Sequence, residues 1–149
     1  MTNPIRSLAL AAWIILLTTG VNLAALATEP EAASDIKFSF KLDPRLAGGT
    51  YGGERWVSRP TYAGIGGQNI VEVRARVLDA AGRPTNISPK WIPDNPAMVS
   101  VTPGDGMQVK ITVQGAGESK LKVAAPGFSR GLSIKATLTN DVMQVQISQ

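Results

Sequence analysis

Two residue types are missing from this chain of 149 residues, cysteine and histidine. Without cysteine the folded protein cannot be held together by disulfides, so its stability must come from a buried core and from strand pairing. The same absences remove Ser-His and Cys-His nucleophile pairs, a histidine general base and the common zinc ligand sets. We therefore expect neither catalysis nor a cofactor, and a metal ion could be held only by oxygen ligands.

Clustered carboxylates, which an oxygen-ligated metal would need, are also lacking. A calcium loop places several acidic or amide ligands within about a dozen residues. Here the acidic residues of the main body stand singly, and the motifs DAAGRP and DNP are typical of turns. We expect no metal site. The isolated residues are Asp43, Glu54, Glu72, Asp79, Asp94, Asp105, Glu118 and Asp141.

Positive charge is present but not concentrated. The formal net charge is +4 at pH 7, and the lysines and arginines are scattered along the chain. A nucleic-acid-binding tail would show a polybasic block, so we expect no nucleic-acid partner. The excess charge favours at most a loose association with acidic surfaces such as anionic lipid or envelope polymer.

The N-terminal segment predicts export. Arg6 precedes an apolar run over residues 8–17, and Ala25-Leu26-Ala27 provides the small-x-small pattern that signal peptidase accepts. We predict a signal peptide over residues 1–27 and a flexible leader over 28–34, giving a periplasmic, cell-surface or secreted protein. The alternative is an uncleaved anchor over residues 8–27, and only then would the membrane be a partner. A lipoprotein anchor would need a cysteine at the cleavage site, and the sequence has Thr28 there, so we expect no such anchor.

From residue 35 onward the pattern is that of short strands. Segments such as IKFSFKL, VEVRARV, VKITV and LSIKATL alternate apolar and polar residues, and Gly/Pro-rich turns separate them at short intervals. We predict one all-β domain over residues 35–149, an antiparallel β-sandwich of about 7–9 short strands. A last strand over residues 142–147 could pair with the preceding strand or with IKFSFKL. The predicted core includes Val73, Trp91, Val101, Ile111, Leu121 and Ile134.

Residues 70–138 resemble the bacterial immunoglobulin-like domain of group 2, the module of intimin- and invasin-type surface proteins. The resemblance lies in the order of a D-x-x-G turn, a tryptophan-bearing strand, an NP turn, a V-x-V strand and a G-x-G-x-S-x-L-x-V segment. It implies an Ig-like sandwich with Trp91 at the centre of the core, and it makes cell adhesion one possible role. The matching residues are Asp79, Gly82, Trp91, Asn95, Pro96, Val99, Val101, Gly115, Gly117, Ser119, Leu121 and Val123.

Two departures from that family pattern affect the expectation. Pro89 precedes Trp91 by two residues and cannot donate a backbone hydrogen bond, so we predict that this strand is at a sheet edge or carries a bulge. The adhesins of this family string many such modules into a stalk with a binding tip, whereas this chain contains one copy and no tip.

The stretch GGTYGGERWVSRPTYAGIGG lies in an insert over residues 46–67. It fails as a phosphate loop, because Glu54-Arg55 replaces the Lys-Ser/Thr pair and no helix follows. One interpretation makes it a structural cover over an open sheet edge or sandwich end. The other makes it a ligand surface, with exposed aromatic rings for stacking and arginines for anionic groups. The residues of that surface would be Tyr51, Arg55, Trp56, Arg59 and Tyr62.

The sequence therefore favours an exported, non-catalytic Ig-like binding module of the cell envelope. It would engage a protein or polysaccharide partner through loops or a sheet edge. The alternative is a structural accessory subunit of an envelope assembly with no ligand of its own.

Overall fold

Ten antiparallel strands and no helix make up the part of the chain that the computed structural model describes, residues 32–42 and 55–149. The predicted signal peptide, most of the leader and the first part of the insert lie outside these residues. The strands are β1 (Asp35–Lys41), β2 (Trp56–Val57), β3 (Thr61–Ile65), β4 (Asn69–Leu78), β5 (Lys90–Pro93), β6 (Val99–Thr102), β7 (Gln108–Val113), β8 (Gly117–Ala125), β9 (Phe128–Thr139) and β10 (Val142–Ser148).

The strands form two five-stranded sheets. Sheet A has the order β2-β1-β4-β7-β6, and sheet B has the order β3-β10-β9-β8-β5. Buried side chains from both sheets belong to one continuous hydrophobic cluster. Rings from the two sheets meet inside it, since the centroids of Phe38 and Trp91 are 5.7 Å apart. This arrangement confirms an all-β sandwich, with the core between the two sheets.

The alternating pattern correctly identified which side chains face the core. Val73, Ile111, Leu121, Ile134 and Trp91 are all buried. Val101 differs from the prediction and is only half-buried, although Val99 on the same edge strand of sheet A is fully buried. The polar group of the buried Trp91 side chain has a partner, because its indole N–H donates a 2.9 Å hydrogen bond to the carbonyl of Gly106.

The strand count exceeds the prediction of about 7–9, for a reason that concerns the insert. Residues 55–67 were expected to belong to a long connection, but they contain β2 and β3. The first of these pairs with β1 at the edge of sheet A, and the second pairs with β10 at the edge of sheet B. This part of the insert thus crosses from one sheet to the other and adds an edge strand to each. It therefore belongs to the sandwich itself.

Two other pairings decide questions that the sequence left open. The last strand, β10, lies between β9 and β3, so it does not pair with β1. The strand that follows Pro89, β5, lies at the edge of sheet B as predicted. Its outer side is partly occupied, because the N–H of Trp91 donates to the carbonyl of Gly104 at 2.9 Å.

Turn chemistry explains the sharpest reversals. Asn140 and Asp141 both have positive φ, 50° and 60°, as a two-residue type I′ hairpin requires between β9 and β10. At the β8–β9 hairpin, Pro126 is followed by Gly127 with a φ of 82°. Proline sets the first turn position and glycine supplies the positive φ of the second.

Residues 32–34, the described end of the predicted leader, contact the sandwich. Ala33 is buried, and its N–H donates a 2.9 Å hydrogen bond to the carbonyl of Pro126. Just beyond it, Arg130 of sheet B forms a 2.8 Å ion pair with Asp35 and donates to the carbonyl of Ile36 in sheet A. The start of β1 is therefore tied to the opposite sheet.

Candidate functional site

The aromatic and arginine surface predicted from the insert does not assemble as proposed. Tyr51 lies outside the described residues. Tyr62 is buried, 5% exposed, and belongs to the core cluster. Arg55 and Arg59 are exposed, and Trp56 is half-buried. The correction is clearest for Tyr62, because a side chain inside the core cannot stack on a ligand.

Tyr62 has a structural role that accounts for its burial. Its position in β3 points the ring inward, since the flanking Thr61 and Ala63 are exposed. The hydroxyl donates a 2.9 Å hydrogen bond to the carbonyl of Lys41, which links β3 of sheet B to the end of β1 in sheet A. Burial also raises the pKa of Tyr62 well above its usual value. The side chain is thus a neutral link between the two sheets.

Trp56 takes a different position, on the outer face of sheet A. Its strand pairs with β1, with Trp56 opposite Lys41. The ring lies under the guanidinium of Arg74, whose Cζ is 4.1 Å from the ring centroid. Arg74 is on β4, and the intervening residue on β1 is Ser39. A small side chain there leaves room for the indole to reach across the strand.

The outer face of sheet A carries a group of cations, which we call the basic face. Its residues alternate with core residues along each strand, so all of them point away from the core. On β4 the outward positions after Ile70 are Glu72, Arg74 and Arg76, between buried valines and Ala75. The basic face consists of Lys37, Lys41, Arg74, Arg76 and Lys110.

Few carboxylates balance these charges. Glu72 forms an ion pair with Lys41, with 3.3 Å between Oε2 and Nζ. Glu72 is also directly opposite Lys110 on β7. Asp35, at the start of β1, forms an ion pair with Arg130. No carboxylate in the described part of the chain lies within 4.0 Å of the charged nitrogens of Arg74 or Arg76. Counted over the described residues, the centre of the basic face therefore has net positive charge.

Like charges are also placed directly opposite each other on this face. Lys37 of β1 is the register partner of Arg76 of β4, and both are exposed. Such a pair is destabilising in an antiparallel sheet. Beside Arg74 and Glu72, an open cleft of about 480 Å³ is lined by Thr102, Pro103, Gln108 and Lys110 among others. The surface thus combines a repulsive cation pair, a stacked arginine and a groove.

The outer face of sheet B is polar but differently composed. It holds an open cleft of about 500 Å³ whose lining includes Ser133, Gln146 and Lys120. Lys135 forms a 2.9 Å ion pair with Glu118 there, and Lys122 is opposite Gly131 instead of another cation. The cations of this face are lysines without a stacked aromatic ring, so the face is less suited to bidentate recognition of anions.

Ionisable groups elsewhere in the described residues form one further polar cluster, at the β4–β5 turn. The N–H of Arg83 and its guanidinium both donate to Asp79 at 2.8 Å, and they lower the pKa of that carboxyl below its usual range. Asp79 therefore stabilises a turn. Over residues 32–42 and 55–149 there is no group of three metal-ligating side chains, and no helix of the same residues is long and apolar enough to span a membrane.

Comparisons with known proteins found no match to this chain. No protein family matches the chain, and no curated protein or solved structure is significantly similar to it.

The basic face was missed by sequence reasoning, although part of its signal was visible. Glu72, Arg74 and Arg76 alternate with valines and Ala75 in NIVEVRARVL, which identifies them as outward-facing. Nothing in the sequence indicated that β1 lies beside β4 with Lys37 opposite Arg76, or that Trp56 reaches the same face. Strand order brought these residues together.

Proposed function

We propose that this protein is an exported, non-catalytic binding module of the bacterial cell envelope, built on an Ig-like sandwich, that engages a protein or polysaccharide partner. The binding surface is the basic face with Trp56 at its rim, in place of the aromatic platform expected from the insert. The observation that carries the proposal is the 4.1 Å stack of Arg74 on Trp56. This contact places an arginine over an indole on the outer face of sheet A, and among the described residues no carboxylate lies within 4.0 Å of its charged nitrogens.

Stability alone poorly explains the contact of Arg74 with Trp56 beside the opposed cations Lys37 and Arg76. A stacked, exposed arginine contributes about 0.5–1 kcal/mol through its cation–π contact. The neighbouring Lys37 and Arg76 oppose each other and reduce stability. A surface that keeps repelling charges together, beside a preorganised arginine, is suited to a partner that supplies the missing negative groups.

The proposal is tested by co-sedimentation of the purified mature protein with isolated cell envelopes. Wild type should co-sediment, and the double variant Trp56→Ala/Arg74→Ala should not, while Lys122→Ala on the opposite sheet should behave as wild type. Thermal unfolding of each variant excludes loss of the fold as the cause. Equal co-sedimentation of wild type and the double variant would contradict the proposed surface. N-terminal sequencing of the exported protein tests cleavage after Ala27.

A structural accessory subunit of an envelope assembly is the second candidate, and burial of Tyr62 favours it. The described part of the insert extends both sheets and joins them through the Tyr62–Lys41 hydrogen bond, which is a structural task. In that case the protein would be recovered in a stable complex from envelope extracts, and substitutions on the basic face would leave that complex intact.

A further inference from the structure

We propose that the basic face binds an acidic polysaccharide, one whose sugar units carry carboxylate or other anionic groups along the chain. This inference rests on the proposed function, since it names the chemical class of the ligand for the same surface. It is supported by the positions of the charged and hydrogen-bonding side chains on the outer face of sheet A.

The cations are spaced for a polymer with repeated negative charge. Lys37 and Arg76 are on neighbouring strands, which lie about 4.8 Å apart. Arg74 is two residues before Arg76 on the same strand, a step of about 7 Å. Three cationic residues therefore occupy neighbouring positions on one face of the sheet. An acidic group bound between Lys37 and Arg76 would convert their repulsion into attraction.

Hydrogen-bonding side chains lie between and beside these cations. Ser39 is opposite Arg74 on one side, and Gln108 is opposite it on the other. The cleft that includes Gln108 also contains Thr102 and Lys110. Hydroxyl and amide groups of this kind pair with sugar hydroxyls.

The same face is less suited to a lipid bilayer. Membrane-surface binding combines cations with apolar side chains that enter the acyl boundary. Among the large exposed apolar residues of the described chain, only Ile70 lies on the outer face of sheet A. A polar sheet face with two arginines fits a hydrated, anionic polymer better than it fits an acyl layer.

The test uses a charge reversal whose effect on stability is opposite to its effect on binding. Arg76→Glu places a carboxylate opposite Lys37, so the variant should melt at the same temperature as wild type or higher. The matched control, Lys122→Glu, makes the same change of charge on sheet B. Affinity for polygalacturonate, a uronic acid polymer, is measured by calorimetry, with neutral dextran as the reference polymer.

We expect wild type to bind polygalacturonate and not dextran, with affinity that falls as salt rises. Arg76→Glu should weaken binding by about tenfold or more, a change of at least about 1.4 kcal/mol, whereas Lys122→Glu should change it by less than about threefold. Equal weakening by both variants would overturn the inference, because it would indicate unspecific attraction to net charge. Binding of anionic vesicles or duplex DNA as tightly as the uronate polymer would also overturn it.

Failure of this inference can be told apart from failure of the proposed function. If polygalacturonate does not bind but envelopes still co-sediment in a manner that depends on Trp56 and Arg74, the ligand class is wrong and the binding module stands. If neither binds, both proposals are wrong.

Discussion

Arg74 stacks on Trp56 across an intervening strand, with 4.1 Å between the guanidinium carbon and the ring centroid. The two residues come from β4 and β2, which are not neighbours in sheet A, so the contact passes over β1. It ties the short edge strand to the centre of the sheet. It also places the guanidinium of Arg74 over the indole on the outer face of sheet A.

The energy of this contact can be measured by a double-mutant cycle. Trp56→Ala, Arg74→Ala and the double variant should show a coupling of about 0.5–1 kcal/mol in the free energy of unfolding, the range for an exposed cation–π pair. Urea unfolding followed by circular dichroism provides the measurement. Additive effects of the two substitutions would show that the stack does not stabilise β2.

Tyr62→Phe should lower the free energy of unfolding by about 0.5–1.5 kcal/mol, because the hydrogen bond to the carbonyl of Lys41 is lost while the ring remains packed. Tyr62→Ala should lower it by about 3–5 kcal/mol through loss of the buried ring. Envelope binding by Tyr62→Phe should equal that of wild type. A binding defect in this variant at unchanged stability would restore Tyr62 to the ligand surface.

The same residue predicts a dependence of stability on alkaline pH. Burial raises the folded-state pKa of Tyr62 above the unfolded value of about 10. Its favourable contribution is therefore fully present below about pH 10 and is lost as pH rises further, because the unfolded state releases the proton more readily. The stability difference between wild type and Tyr62→Phe should shrink above that pH. A constant difference would contradict the assignment.

Gly64 and Asn69 provide a test of how the two sheets are joined. The side chain of Asn69 occupies the space that a Cβ on Gly64 would need, and its amide donates a 3.0 Å hydrogen bond to the carbonyl of Met143. Gly64→Ala should displace that amide and cost about 1–3 kcal/mol of stability.

The control for this substitution is Gly67→Ala, which meets only open space and should change stability by less than about 0.5 kcal/mol. In an Asn69→Ala background the penalty of Gly64→Ala should largely disappear. If it persists there, the loss arises from the backbone of β3 and not from the displaced amide.

At low pH the turn built on Asp79 should weaken. Hydrogen bonds from the backbone and side chain of Arg83 lower the folded-state pKa of Asp79 below the unfolded value of about 4. Its contribution is present above about pH 4 and is lost as pH falls through the lowered folded-state value. Thermal unfolding of wild type and Asp79→Asn should therefore differ at neutral pH and converge in acid. An unchanged difference down to acid pH would show that charge plays no part.

Much of the sandwich was predictable from the sequence, because the alternation of apolar and polar residues along a strand indicates which side chains are buried. Where a strand is paired on both sides, as for Val73 in β4 or Ile134 in β9, the inward positions are buried as expected. Val101 shows the limit of the argument. Val99 and Val101 both point inward from β6, yet only Val99 is fully buried, a difference that the local pattern does not specify.

The insert shows the same limit more strongly. Its glycines, aromatic residues and arginines suggested a loop, since few of its positions alternate clearly. Pairing with β1 and β10 converts residues 56–57 and 61–65 into edge strands, and this turns Tyr62 into the core. Such strands are specified by the partner that receives them, because two or five residues carry too little local preference to form a strand alone.

By itself the sequence determined the strand-forming segments, their inward and outward residues and the turns between them, because these depend on a period of two residues and on the φ preferences of glycine, proline and asparagine. Tertiary structure alone decided the order of strands in each sheet. That order brings Lys37, Arg74, Arg76 and Trp56 onto one outer face and places Tyr62 in the core. Side chains distant in sequence become neighbours only through pairing, so the proposed site follows from the fold.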